Sequence, residues 1–161
     1  MFYLEDKANV SERNRLIGYL LLYIGVRVIE LVSVRLEDSL MPSALTVKGK
    51  GGKIREISLR QNVLAYMKDY LQGEREKSPF HSSSYLLVSQ SVEKLHRDAV
   101  RNWLSYVSKE LQIHLHPHLF RHTFATRLLR MVGWIKDNNC THVAIEITSV
   151  YRKHIVNLLE A

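Results

Sequence analysis

Three stretches of the chain repeat apolar residues at intervals of three and four, and that spacing limits the folds open to it more than any other feature. Leu16, Leu20, Tyr23 and Ile24 form one stripe, Val63, Leu64, Met67 and Leu71 a second, and Val100, Trp103, Leu104, Val107 and Leu111 a third. An α-helix turns once in 3.6 residues, so this spacing lines one face with side chains that have to be buried against another element. Ser11 stands where its hydroxyl can cap the first helix, Gly25 interrupts that helix, and a short helix is expected from Arg27 to about Val34. Gly73 ends the second stripe. Pro117 suits the first turn of a further helix reaching about Met131, and the tail from Val150 to Leu159 is helical by pattern.

Between the first two stripes the period changes. Leu45 to Lys48 and Ile54 to Ser58 flank Gly49-Lys50-Gly51-Gly52, and glycines are the residues that supply the backbone of a tight hairpin turn. Pro42 and Ser43 mark a loop before it. Gly73 to Ser84, rich in charge and serine, reads as an internal loop, and Tyr85 to Val88 as a short buried strand. With 161 residues, 46% of them apolar, there is enough for one sizeable core. The fold expected is α+β and mainly α-helical: a helical bundle with a small antiparallel β-hairpin at one edge, in a single domain.

Charge narrows the partner. Twenty-three Lys and Arg against 16 Asp and Glu leave +7. Such an excess favours a polyanion, because each phosphate neutralised releases condensed counterions. A ribosomal protein, a membrane-surface protein or a merely basic soluble protein fits the same balance. Cys140 stands alone, which excludes an intrachain disulfide or a Cys-rich zinc cluster and fits a reducing compartment. The longest apolar run, Leu16 to Val26, is about half the roughly 20 residues that span a bilayer. No apolar stretch of signal-peptide type precedes it. The expectation is a cytoplasmic protein.

The sharpest local signal is His116-Pro117-His118-Leu119-Phe120-Arg121-His122-Thr123-Phe124-Ala125-Thr126. On a helix His118 and Arg121 share a face, offering an imidazole that moves protons near neutral pH and a guanidinium that grips phosphate in a fork. Taken alone the pair also fits surface or core residues. A metal site competes for the same segment, since His114, His116, His118 and His122 crowd nine residues. Against it, there is no His-Glu-x-x-His pattern and no cysteine cluster to complete a tetrahedral set.

The longer string resembles the second motif of the tyrosine recombinase (phage integrase) family, Pro-His-x-Leu-Arg-His-Thr-Phe-Ala-Thr, with Phe120 in place of the usual leucine. Gly25-Val26-Arg27-Val28-Ile29-Glu30-Leu31 is similar to the family's first motif, Gly-Leu-Arg-x-x-Glu-Leu. That resemblance implies that Arg27 is the first catalytic arginine and Glu30 its structural neighbour. Without it, the two residues would read as an ordinary i, i+3 ion pair. Val47 to Arg55 is similar to the family's Gly-Lys-Gly-x-Lys-x-Arg turn and implies Lys50 as the catalytic lysine, flanked by Lys48 and Lys53; a plain phosphate-contacting loop is the other reading.

Near the end, Thr148-Ser149-Val150-Tyr151-Arg152-Lys153-His154 resembles the nucleophile segment and implies Tyr151 as the nucleophile. Nine residues before it, where the family usually has Leu-Gly-His, this chain has Cys140-Thr141-His142, and His142 is carried over as the second histidine. The preceding segment, Val132 to Asn139, lacks the usual apolar periodicity. The resemblance spans roughly Ser11 to Asn157.

The chemistry so implied is strand cleavage and rejoining through a 3′-phosphotyrosyl intermediate. Arg27 and Arg121 would hold the non-bridging oxygens, and Tyr151 would attack with His118 as base or hydrogen-bond partner. Lys50 would protonate the leaving 5′-oxygen, and His142 would hydrogen-bond the phosphate. The partner implied is double-stranded DNA, with self-association into a DNA-bound tetramer; residues Ile155 to Ala161 pack either on a neighbouring protomer or on their own core. No cofactor, metal, membrane or small-molecule substrate enters.

Recombinases of this family usually carry an N-terminal helical domain that closes around DNA, and Arg27 comes too soon for it. Residues 1–161 are therefore expected to form the catalytic domain alone. The rival readings are a type IB topoisomerase, a catalytically weakened DNA-binding remnant suggested by the divergent stretch before His142, and a basic helical module for RNA or protein partners.

Overall fold

The computed structural model describes residues 2–6, 8–39 and 43–138. In chain order these form α1 (Phe2–Glu5), α2 (Glu12–Ile24), α3 (Val28–Leu31), β1 (Ala44–Lys48), β2 (Ile54–Ser58), α4 (Gln61–Gln72), α5 (Arg97–Leu111) and α6 (Pro117–Asp137). The architecture is mainly helical with one antiparallel hairpin among the described residues, as the change of period indicates. No described helix is long and apolar enough to cross a membrane.

Helix α2 is the central element and packs against α4, α5 and α6. Ser11 caps it, its hydroxyl accepting from the Asn14 amide at 3.2 Å. Leu16, Ile17, Leu20, Leu21 and Ile24 are all buried, and each such side chain contributes about 1.5–3 kcal/mol of transfer free energy. Val63, Met67 and Tyr70 of α4 and Val100 and Leu104 of α5 close the core around them. Leu111, the last residue of the third stripe, is exposed.

Helix α1, which no periodicity announces, is tied down by polar groups. The buried Arg15 guanidinium donates to the carbonyls of Leu4 (2.7 Å) and Val10 (3.2 Å). The Glu5 carboxylate accepts from the Tyr19 and Tyr66 hydroxyls, and the rings of these two tyrosines stack 4.4 Å apart. The hydrogen bond to Glu5 and burial both push the Tyr19 phenol up from its ordinary range, burial being the larger cause.

In the hairpin, Leu45 pairs with Ile57 and Val47 with Arg55, and the turn passes through Gly51 and Gly52 with φ of 73° and 76°. A side chain at those angles would strain the backbone. The register puts Leu45, Val47, Ile57 and Arg55 on the inner face and leaves Ile54 70% exposed. A guanidinium therefore ends the inward row of this hairpin.

Two expectations are corrected. Tyr85 to Val88 is not a strand, although Leu86, Leu87 and Val88 are buried; Tyr85 is half-buried and makes a single bridge to Arg35. Its neighbours are bound instead by scattered partners. The Leu86 amide donates to Val34, the Val88 amide to the Tyr70 hydroxyl, and the buried Arg75 guanidinium to the carbonyls of His81 (2.6 Å), Ser83 (2.7 Å), Tyr85 (3.2 Å) and Leu86 (3.3 Å). Helix α6 also runs past Met131 to Asp137, because Val132 and Ile135, three apart, are buried and give its last turns an apolar stripe.

Candidate active site

Three segments distant in the chain meet where α2 gives way to α3. Gly25 ends α2 with φ of 56°, and a β-carbon built on it would lie 2.6 Å from Cδ1 of Phe124 on α6. Only a residue without a side chain lets the two elements approach so closely. The Gly25 carbonyl accepts a hydrogen bond from Nη1 of Arg121 at 2.8 Å. The first arginine segment and the second are thus joined by backbone packing and by the guanidinium itself.

Arg27 precedes α3. Its amide donates to Oε2 of Glu30 at 3.0 Å and its Nη1 to Oε1 at 3.0 Å, while the side chain stays 54% exposed. Glu30 is 5% exposed and receives a second guanidinium from the hairpin, with Arg55 Nη2 at 2.5 Å from Oε2 and Nη1 at 3.2 Å from Oε1. Burial acts to raise this carboxyl, but hydrogen bonds from Arg55 and Arg27 outweigh it and hold the group down at about 2. Gly49, where the turn begins, lies against the same pair: a β-carbon there would be 3.0 Å from Arg55 Nη1 and 3.5 Å from Glu30 Oε1. Glu30 therefore anchors both Arg27 and the turn that carries Lys50. Lys50 opens that turn and is described by its backbone.

Helix α6 begins at Pro117, with His116 before it capping the helix through Nδ1, which accepts from the Leu119 amide at 3.2 Å. His118 and Arg121 follow on the first turns. Phe120 packs on the hydrophobic core, so the Leu-to-Phe departure in the motif keeps its apolar role. Arg27, His118 and Arg121 line one open cavity of about 430 Å³, together with Val26, Arg101 and His116. Two guanidinium groups and an imidazole on one concave surface suit an oxyanion of phosphate size. His142 and Tyr151 lie outside the described residues.

Among the described residues no group of three His, Cys, Asp or Glu side chains is placed to hold a metal ion, and the rings of His114 and His116 sit 5.2 Å apart at 51°. Arg101 lies outside every motif, and Arg55, which ends the hairpin motif, has no role assigned from sequence. Arg101 of α5 lines the cavity and holds Asp98 through Nη1 at 3.1 Å, and only its place off the Val100–Leu104 stripe hinted that it faces outward. Arg55 supports Glu30; strand alternation with Ile57 was the signal for its inward direction.

The model of the phage integrase family matches residues 3–156. The TnP I resolvase of Bacillus thuringiensis is 34% identical over 152 residues, covering 92% of this chain and 51% of the resolvase. Tyrosine recombinase XerA of Pyrococcus furiosus is 34% identical over 159 residues, covering 92% of this chain and 54% of its own length. Among solved structures, the XerH site-specific recombinase in a post-cleavage complex with a palindromic difH substrate superposes with a TM-score of 0.67 and 25% identity, over 83% of this chain and 42% of that one. The chain spans about half the length of the curated relatives it matches.

Proposed function

The chain belongs to the phage integrase family, and from that premise we propose that it cleaves and rejoins DNA strands through a phosphotyrosyl bond. The observation that carries this reading is the meeting of Arg27, His118 and Arg121 on one open cavity. Transfer of a phosphodiester builds negative charge on two non-bridging oxygens. Fixed guanidinium groups at Arg27 and Arg121 stabilise that charge without reorganising, and one such donor is typically worth about 10²- to 10³-fold in rate.

Tyr151 attacks the phosphorus, its proton passing toward His118, and the bond to the 5′-oxygen breaks to leave a 3′-phosphotyrosyl link. Lys50, on the turn held by Glu30 and Arg55, gives the departing oxygen its proton. His142 hydrogen-bonds the phosphate. Return attack by a 5′-hydroxyl reseals a strand and releases Tyr151, so bond energy is kept throughout and no nucleotide is consumed. None of these steps draws on a metal ion. Double-stranded DNA is the partner, a DNA-bound tetramer the working assembly, and the cytoplasm its setting.

A nicked duplex that lets the 5′-fragment escape traps the intermediate. The protein is expected to form an SDS-resistant DNA adduct that Tyr151→Phe abolishes. Binding of DNA without adduct under these conditions would overturn the cleavage reading in favour of a binding-only role.

A further inference from the structure

We propose that His116 is the positioning residue of this site, and that its protonation loosens the helix turn carrying His118 and Arg121. The proposal rests on the strand-cleavage reading for its effect on rate, though not for its effect on structure. His116 has extended backbone (φ −147°, ψ 157°), directly precedes Pro117, and caps α6 by accepting the Leu119 amide on Nδ1 at 3.2 Å. A ring nitrogen accepts only while it carries a free lone pair, so an imidazolium at this position cannot cap. Most capping side chains are hydroxyls, amides or carboxylates, which keep their acceptor across the neutral range. Imidazole is the one that changes charge between about pH 5 and 8.

The groups around His116 are arginines, a lysine and further histidines. His114 approaches it ring to ring at 5.2 Å. Arg101 and Lys109 of α5 line the cavities that His116 shares, as do Arg27 before α3 and His118 and Arg121 of α6. Among the described residues no carboxylate lines either cavity, and Asp98 of α5 is engaged with Arg101. A DNA phosphate bound in the cavity adds an anion that attracts an imidazolium at His116.

Binding and catalysis therefore pull in opposite directions as pH falls. Protonated His116 adds a cation for the phosphate and at the same time releases the first turn of α6, displacing His118 and Arg121. Acid should tighten DNA binding while slowing cleavage. A residue with a purely structural role would slow both or neither.

The test compares wild type, His116→Ala and His116→Ser, since serine caps through a hydroxyl that does not titrate. At pH 7.5 the alanine variant is expected to form adduct about three- to tenfold more slowly, and the serine variant to recover most of that loss. From pH 7.5 to 5.5 the rate of the serine variant relative to wild type should rise by about the same factor. Over that interval wild type should gain more DNA affinity than the serine variant.

In the DNA-free protein, the Leu119 amide signal in NMR should move with the His116 ring titration in wild type and stay flat in the serine variant. A constant rate ratio across pH, or a Leu119 amide indifferent to pH in wild type, overturns the proposal. Failure of every variant, wild type included, to form adduct overturns the cleavage reading, and the Leu119 titration then decides the role of His116 by itself.

Discussion

Glu30 sits between two guanidinium groups, and its ionisation ties the stability of the site to pH. Its carboxyl is held at about 2 against an ordinary 4.5, hydrogen bonds from Arg55 and Arg27 prevailing over the burial that opposes them. Because the folded state binds the proton less tightly than the unfolded chain, the stabilisation is full above about pH 4.5 and disappears as pH falls toward 2. Allowing for partial solvent screening, it amounts to roughly 2–3 kcal/mol. Glu30→Gln should therefore be less stable than wild type at pH 7 and show a flatter loss of stability between pH 5 and 2 in denaturant titrations. Parallel acid curves for the two proteins would remove Glu30 from its role as anchor.

The junction of α2 and α3 makes the corresponding argument among elements. Gly25→Ala forces a side chain into left-handed backbone, and its β-carbon meets the Phe124 ring at 2.6 Å. Together these should cost about 2–3 kcal/mol. The expected outcome is a lower denaturation midpoint and a larger fall in adduct formation than stability alone explains, since the Gly25 carbonyl that receives Arg121 moves as well.

Helices α2, α4 and α5 and the hairpin were legible in the sequence because each buries one face, so their periods record it. Helix α6 was legible at its start, where Pro117 stands, and not at its end: Val132 and Ile135 alone carry the buried stripe, beside a 62%-exposed Trp134 that obscures it. Tyr85 to Val88 looks like a strand because it is apolar, yet its backbone partners are Val34, Tyr70, Arg75 and Leu95, which no local pattern reveals. Of the candidate site, Arg27, His118 and Arg121, which line one cavity, were singled out by motifs. Arg101 was not, because its place on the cavity depends on how α5 packs, and polar residues on a helix's outer face look alike in sequence.

At the scale of the whole molecule, the net charge of +7 and the cations around the cavity point to association led by phosphate contacts. With about six phosphates engaged, the dissociation constant for duplex DNA should weaken on the order of 10³-fold between 50 and 200 mM salt, measured by fluorescence anisotropy. Binding indifferent to salt would contradict a phosphate-led interface. Away from the cavity, Arg75 shapes the segment between α4 and α5 by other means. It gathers four carbonyl oxygens, from His81, Ser83, Tyr85 and Leu86, with the forked donors that a lysine lacks. Carbonyls belong to every residue type, so Arg75 sets the course of this loop through its backbone alone, and the side chains that composition fixes there are the ones buried or bonded on their own account: Leu86, Leu87, Val88, Ser78 and Ser83.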